Sequence, residues 1–227
     1  MPYLTRQKCS LKGIFERAQE LKHASCFNTG FLTIAFDFDG VLADTLPQHF
    51  EFCQKEAEKF RIVLPQKSQR EIVDNPMEKL LKKAGFPDDI IPIVIADYER
   101  EFSDYQISLF NRVPEMLQKL KAAGRVLAIA SSNRLVNIKK SLGELFLLFD
   151  CISAYDTDTS KSAGLKRILA CTSPPQVLVG DTEKDYQAAR DAGTNFIGAS
   201  YGWQISPDDK RFPVAHSVQE LESLLLS

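Results

Sequence analysis

The feature that most constrains this chain is a rhythm. Short apolar runs at residues 31–36, 125–130, 176–179 and 195–198 each give way to small or polar residues. Largely continuous apolar runs of this length read as strands buried on both faces, as in a parallel sheet. A weaker run lies at 149–153. Helical patterns fall between and after them. Residues 114–123 place Met116, Leu117, Leu120 and Ala123 on one face and meet Gly124, a helix-ending residue. Residues 137–145 are amphipathic, with Gly143 near their end. Residues 162–170 carry Leu165, Ile168 and Leu169. Thr182 reads as the cap of a helix running to Ala192, with Gly193 after it, and Ser217 opens a last helix. The alternation predicts an α/β fold, a parallel sheet with helices on both faces.

Residues 46–111 break the rhythm and show no convincing strand. Helical patterns cover 50–60, 76–84 and 90–105, punctuated by Pro65, Pro76, Pro87 and Pro92. This stretch reads as a helical insert between the first strand and the rest of the sheet. Residues 1–30 form an N-terminal extension. There Leu11, Ile14, Phe15, Ala18 and Leu21 recur at helical spacing among basic residues, which fits a short helix packed on its own domain.

Composition narrows the functional classes. The 227 residues carry 28 Lys+Arg and 30 Asp+Glu, a net charge of −2, which argues against a nucleic-acid binder. No apolar run approaches the roughly 20 residues that span a bilayer, so no stable membrane insertion is expected. Cys9, Cys26, Cys53, Cys151 and Cys171 are widely spaced and odd in number, and His23, His49 and His216 are scattered. Reduced thiols in a cytoplasmic protein are the expectation, rather than a disulfide framework or a zinc site.

The informative polar residues fall where the predicted strands end, the edge at which open α/β sheets bind ligands. Asp37 and Asp39 follow the first run, with Gly40 to turn the chain. Ser131 and Ser132 follow the second. Asp181 and Asp185 follow another, and Lys161 precedes a helix. Each alone is an ordinary turn, cap or surface residue. Together, four acids at one edge need neutralising, and Mg²⁺ takes carboxylates and phosphate oxygens. Acids, a hydroxyl, an ammonium and Mg²⁺ suit a phosphate ester, and a carboxylate can attack phosphorus.

The stretch Asp37-Phe-Asp-Gly-Val-Leu-Ala-Asp-Thr45 resembles the first motif of the haloacid dehalogenase superfamily. Ser131, Lys161 and Gly180-Asp-Thr-Glu-Lys-Asp185 resemble its second, third and fourth motifs in order. Lys161 and Lys166 both lie near the third motif, and Lys161 is preferred because an apolar helix face follows it. The insert resembles the small helical cap of the phosphoglycolate phosphatase-like subgroup, and Ser200-Tyr-Gly-Trp203 resembles that subgroup's segment after the last motif. The resemblance covers about residues 31–227. It implies a Rossmann-like parallel-sheet core at 31–45 and 112–227 with an inserted α-helical cap at 46–111.

It also implies roles. Asp37 would be the nucleophile and Asp39 the general acid and base. Ser131, Lys161 and the backbone N–H of Ser132 would hold the phosphoryl oxygens. Asp37, Asp39 (through its carbonyl), Asp181 and Asp185 would form the Mg²⁺ site. The implied reaction is Mg²⁺-dependent hydrolysis of a small phosphorylated metabolite, phosphoglycolate-like or a sugar phosphate, through an aspartyl phosphate. A phosphosugar mutase, a receiver-type signalling domain and a non-catalytic binding protein are the other readings. The mutase ranks lower without its cap signature, and Asp39 with the insert argues against a receiver. Intact motifs argue against a silent protein. His49, Arg70, Lys79 and Arg100 are candidates to meet substrate from the cap. The sequence leaves monomer or homodimer undecided.

Overall fold

The computed structural model describes residues 32–65 and 77–227. The expected extension at 1–30 therefore lies outside the described residues, as does Arg70. A six-stranded sheet forms the centre, built from β1 (Thr33–Phe36), β4 (Val126–Ala130), β5 (Cys151–Ser153), β6 (Gln176–Gly180), β7 (Asn195–Ala199) and β8 (Val214–Ala215). Its order is β5-β4-β1-β6-β7-β8, and every pairing is parallel. A smaller antiparallel pair joins β2 (Ala43–Asp44) to β3 (Ser108–Leu109).

The apolar runs are continuous because both faces of the sheet are covered. Ile34, Phe36, Leu127, Ile129, Val177 and Val179 face one cluster, which α4 (Val113–Ala122), α5 (Leu135–Leu142) and α8 (Val218–Leu226) complete. The alternate residues Ala35, Ala128, Ala130 and Leu178 face the other, completed by α6 (Lys161–Ala170) and α7 (Glu183–Ala192). Small residues dominate the strands on this second face, so Leu165 and Ile168 of α6 pack close to the sheet.

The insert contains α1 (Leu46–Phe60), α2 (Met77–Lys83) and α3 (Ile91–Glu101), the last followed by a 3₁₀ turn at Phe102–Asp104. These helices bury Phe50, Phe52, Leu80, Leu81, Phe86 and Val94 in an apolar cluster of their own. Its two ends meet in the β2–β3 pair, where Ala43 faces Leu109 and Asp44 faces Ser108.

Several expectations change in detail. α1 begins at Leu46 rather than Phe50, because Pro47 occupies the first turn, where its missing N–H costs nothing. The helix expected over 137–145 runs from Leu135 to Leu142, then tightens into a 3₁₀ segment after Gly143 turns the chain at φ 54°. The helix expected to reach Tyr105 leaves α geometry after Glu101. The insert region is not free of strand, since β3 lies in it. β3 and β8 have two residues each, too few to show a period. Among the described residues no helix is long and apolar enough to cross a membrane, and Cys53 and Cys171 are free thiols.

Candidate active site

Register brings the polar residues together. Phe36 faces Ile129 on one side and Val179 on the other, so Asp37, Ser131 and Asp181 leave the sheet at the same edge. The Asp37 N–H continues the ladder to Val179 O at 2.8 Å, which fixes the carboxylate at the strand end. Beyond it the chain turns tightly. Leu42 and Ala43 both donate to Phe38 O, and Gly40 adopts φ +73°. A side chain at Gly40 would be strained there, and its Cβ would stand 2.0 Å from Asp181 Oδ2.

Asp37, Asp181 and Asp185 are buried, and each offers a carboxylate oxygen within 4.8 Å of the others. Lys161 enters from the first residue of α6. Its ammonium lies 2.6 Å from Asp37 Oδ2 and 2.5 Å from Asp185 Oδ1. Asp185 owes its place to the start of α7. Thr182 caps that helix and accepts from the Asp185 N–H, while Asp185 Oδ2 accepts from the Thr182 N–H and hydroxyl in a reciprocal capping box. Lys166, the other third-motif candidate, is exposed to solvent.

Asp39 stands apart from this trio. Asn133 Nδ2 donates to both of its carboxylate oxygens, at 3.0 and 3.1 Å. Asn133 is itself held: its Oδ1 accepts from Asn137 Nδ2 and the Arg134 N–H, and its own N–H donates to Ser131 Oγ. Ser131 is buried, with its N–H on Ser153 O, whereas Ser132 is exposed. Asn133 is the residue that sequence reasoning missed. It lies in the named Ser131-Ser132-Asn133 run, but nothing in that run shows which side chain turns toward Asp39.

The electrostatics follow from burial. Burial, then the charge of Asp185, pushes Asp37 up to about 8, with Lys161 pulling the other way. Burial also raises Asp39, opposed by the hydrogen bonds from Asn133, and raises Asp181 well above the usual carboxylate range. Burial works against the Lys161 charge, but Asp185 and Asp37 hold the ammonium above its ordinary value. Ionised together, the three acids would outweigh one lysine, so Asp37 and Asp181 keep their protons to higher pH in the absence of a cation. Asp181 Oδ2 accepts from the Trp203 N–H at 2.7 Å, while Oδ1 is buried without a hydrogen-bond partner. Hard oxygens and an orphaned carboxylate atom fit a small divalent cation such as Mg²⁺. Asp39 contributes no carboxylate to this trio.

The insert's candidate residues fare differently. His49 is buried in an aromatic stack, 4.6 Å from Phe102 and 5.8 Å from Tyr98 between ring centroids. Burial lowers it to about 4, so it is neutral near pH 7. Lys79 is exposed, and Arg100 is occupied by Asp97 and Glu101.

Known proteins resemble this chain in sequence and in fold. A phosphoglycolate phosphatase of Synechococcus elongatus is 27% identical over 178 residues, covering 75% of this chain and 84% of that protein. One of Caulobacter vibrioides is 27% identical over 195 residues, covering 77% and 81%. A solved haloacid dehalogenase-like protein of Streptococcus pneumoniae superposes with a TM-score of 0.74 at 20% identity, covering 87% of this chain and 98% of that one, a likeness of fold. The family model described as haloacid dehalogenase-like hydrolase matches residues 34–199, most of the chain, and spans every strand-end acid described above. The chain belongs to the haloacid dehalogenase-like hydrolases and is an enzyme of their phosphatase kind.

Proposed function

We propose that this enzyme hydrolyses a small phosphorylated metabolite, phosphoglycolate or a close analogue, with Mg²⁺ and through a phosphorylated Asp37. The observation that carries the reading is the Lys161 ammonium bridging Asp37 and Asp185 inside a buried carboxylate trio. Such a cluster suits an attacking carboxylate, an anionic substrate and a divalent cation at once.

An oxygen of Asp37 attacks phosphorus while the ester P–O bond breaks. Asp39, across from Asn133, gives its proton to the departing alkoxide. Asp39 then takes a proton from water, whose oxygen attacks phosphorus and releases Asp37 and inorganic phosphate. Lys161 and Ser131 hold the transferring oxygens, and the Ser132 N–H serves beside them. Asp37, the Asp39 carbonyl, Asp181 and Asp185 would hold the Mg²⁺, which would supply charge neutralisation for the phosphoryl oxygens. The insert acts as a cap, and closing it over the site keeps bulk water from the phosphorylated aspartate. The choice of phosphoglycolate rests on relatives that carry that name.

The test is phosphate release from phosphoglycolate and from an aryl phosphate, with Mg²⁺ or with chelator. Wild type is expected to turn over phosphoglycolate only with Mg²⁺, and Asp37→Asn to lose at least about 10³-fold, as removal of a covalent nucleophile does. Turnover that persists in Asp37→Asn would show that another group attacks.

A further inference from the structure

Trp203 is the chain's one tryptophan, and it sits where two parts of the molecule meet. Its backbone belongs to the turn after β7. That turn is stitched to Asp181: the Trp203 N–H donates to Asp181 Oδ2 at 2.7 Å, and the Gln204 and Ile205 N–H groups donate to Asp181 O at 3.1 and 2.9 Å. No slack exists around the carboxylate. A Cβ on Gly202 would stand 2.5 Å from Asp181 Cβ and 2.4 Å from Gly40 O.

The indole goes the other way. It packs against the apolar cluster of the insert and meets the His49 ring edge-on, with centroids 5.5 Å apart. Its Nε1 is buried without a partner, so the ring is there for its apolar fit and not for a hydrogen bond. A salt bridge across this seam, Arg134 to Glu99 at 3.6 Å, joins two side chains that are 42% and 50% exposed, and exposed pairs contribute little. A large aromatic ring is the stronger tie.

From these contacts we infer that Trp203 is a positioning residue coupling the seating of the cap to the orientation of Asp181, and so to Mg²⁺ affinity. A seated cap holds the ring, the ring holds the turn, and the turn's N–H groups hold the carboxylate with Oδ1 free for the cation. The coupling is reciprocal, so bound Mg²⁺ favours the seated cap by the same factor. The inference rests on the Mg²⁺ reading of the trio given above.

Two measurements test it, neither of which uses phosphate release. Calorimetry gives the Mg²⁺ affinity of wild type, Trp203→Phe and Trp203→Ala. Truncation to alanine keeps the peptide N–H that Asp181 accepts, so any loss passes through the ring. Trp203→Ala is expected to bind Mg²⁺ about 10-fold more weakly, as loss of a group that orients a metal ligand does, with Trp203→Phe close to wild type. In unmodified protein, the emission of the single tryptophan is expected to shift with Mg²⁺ at the calorimetric midpoint. Wild-type affinity in folded Trp203→Ala overturns the inference, as does emission that stays fixed while wild type saturates. The emission arm needs no variant, so a misfolded alanine chain does not shield the inference from refutation. A chain that binds Mg²⁺ without coupling refutes this inference alone, and one that takes up no Mg²⁺ refutes the metal reading beneath it.

Discussion

Asn133 shows how much at this site depends on one amide. It faces Asp39, the proton shuttle of the proposed mechanism, and donates to both carboxylate oxygens. Donors to the charged form lower a carboxyl pKa, so Asn133 opposes the effect of burial on Asp39. Replacing it with alanine should raise the Asp39 pKa. We expect a fall in kcat of about 10²-fold, the lower end of what general acid–base catalysis contributes, with KM changed less and the pH–rate profile displaced upward. Rates measured across pH in Asn133→Ala check both. An unmoved profile would remove Asn133 from proton transfer. The acids, Ser131 and Lys161 were legible because each follows a strand end or opens a helix in a fixed order. Asn133 was not, since its role depends on Asn137 and the Arg134 N–H turning its amide inward. Trp203 was visible only as part of a segment. Its double attachment is tertiary and leaves no local signature.

At the scale of elements, α7 links stability and site chemistry. Thr182 caps it, and the same hydroxyl donates to Asp185 Oδ2 at 2.6 Å. Thr182→Ala should cost about 1 kcal/mol, the usual worth of such a cap. It should also weaken Mg²⁺ binding, because Asp185 loses a partner that orients it. Thermal denaturation and calorimetry of the one variant read the two effects separately, and a stability loss with unchanged Mg²⁺ affinity would confine Thr182 to capping. This cap and Gly193 were legible because the capping box and the left-handed glycine are local chemistry. Strand cores were legible for a similar reason, since burial on both faces leaves an unbroken apolar run. Ends were harder to read. Pro47 begins α1 where a proline can also mark a break, and Gly143 ends α5 while the chain continues as a 3₁₀ segment.

Over the whole molecule, a concentration of buried acid makes stability depend on pH and cation together. Asp37 is raised to about 8 from an ordinary 3.8. Between those values the native state holds protons that the unfolded chain has released, so stability falls as pH rises through this window. His49 acts with the opposite sign but only at lower pH, between about 4 and 6.5, where the unfolded chain binds a proton that the native aromatic stack refuses. The clean window is therefore pH 6.5 to 8. There the metal-free protein should lose melting temperature as pH rises. Mg²⁺ should restore it increasingly, since bound metal displaces the protons. Metal-free Asp37→Asn should show a shallower slope. Melting curves at several pH values with and without Mg²⁺ decide it, and parallel slopes in the two proteins would mean that Asp37 does not govern this dependence.

The β2–β3 pair has a consequence of another kind. Seen from the sheet, everything between Asp44 and Ser108 is a loop whose mouth is already tied shut by paired backbone. The entropy of closing such a loop grows only with the logarithm of its length, about 0.6 kcal/mol for each doubling. Lengthening, shortening or exchanging what hangs beyond the knot therefore perturbs the strands below it very little. A lineage built on this plan is free to redraw most of the insert at little cost to the sheet, provided the seat of Trp203 is kept.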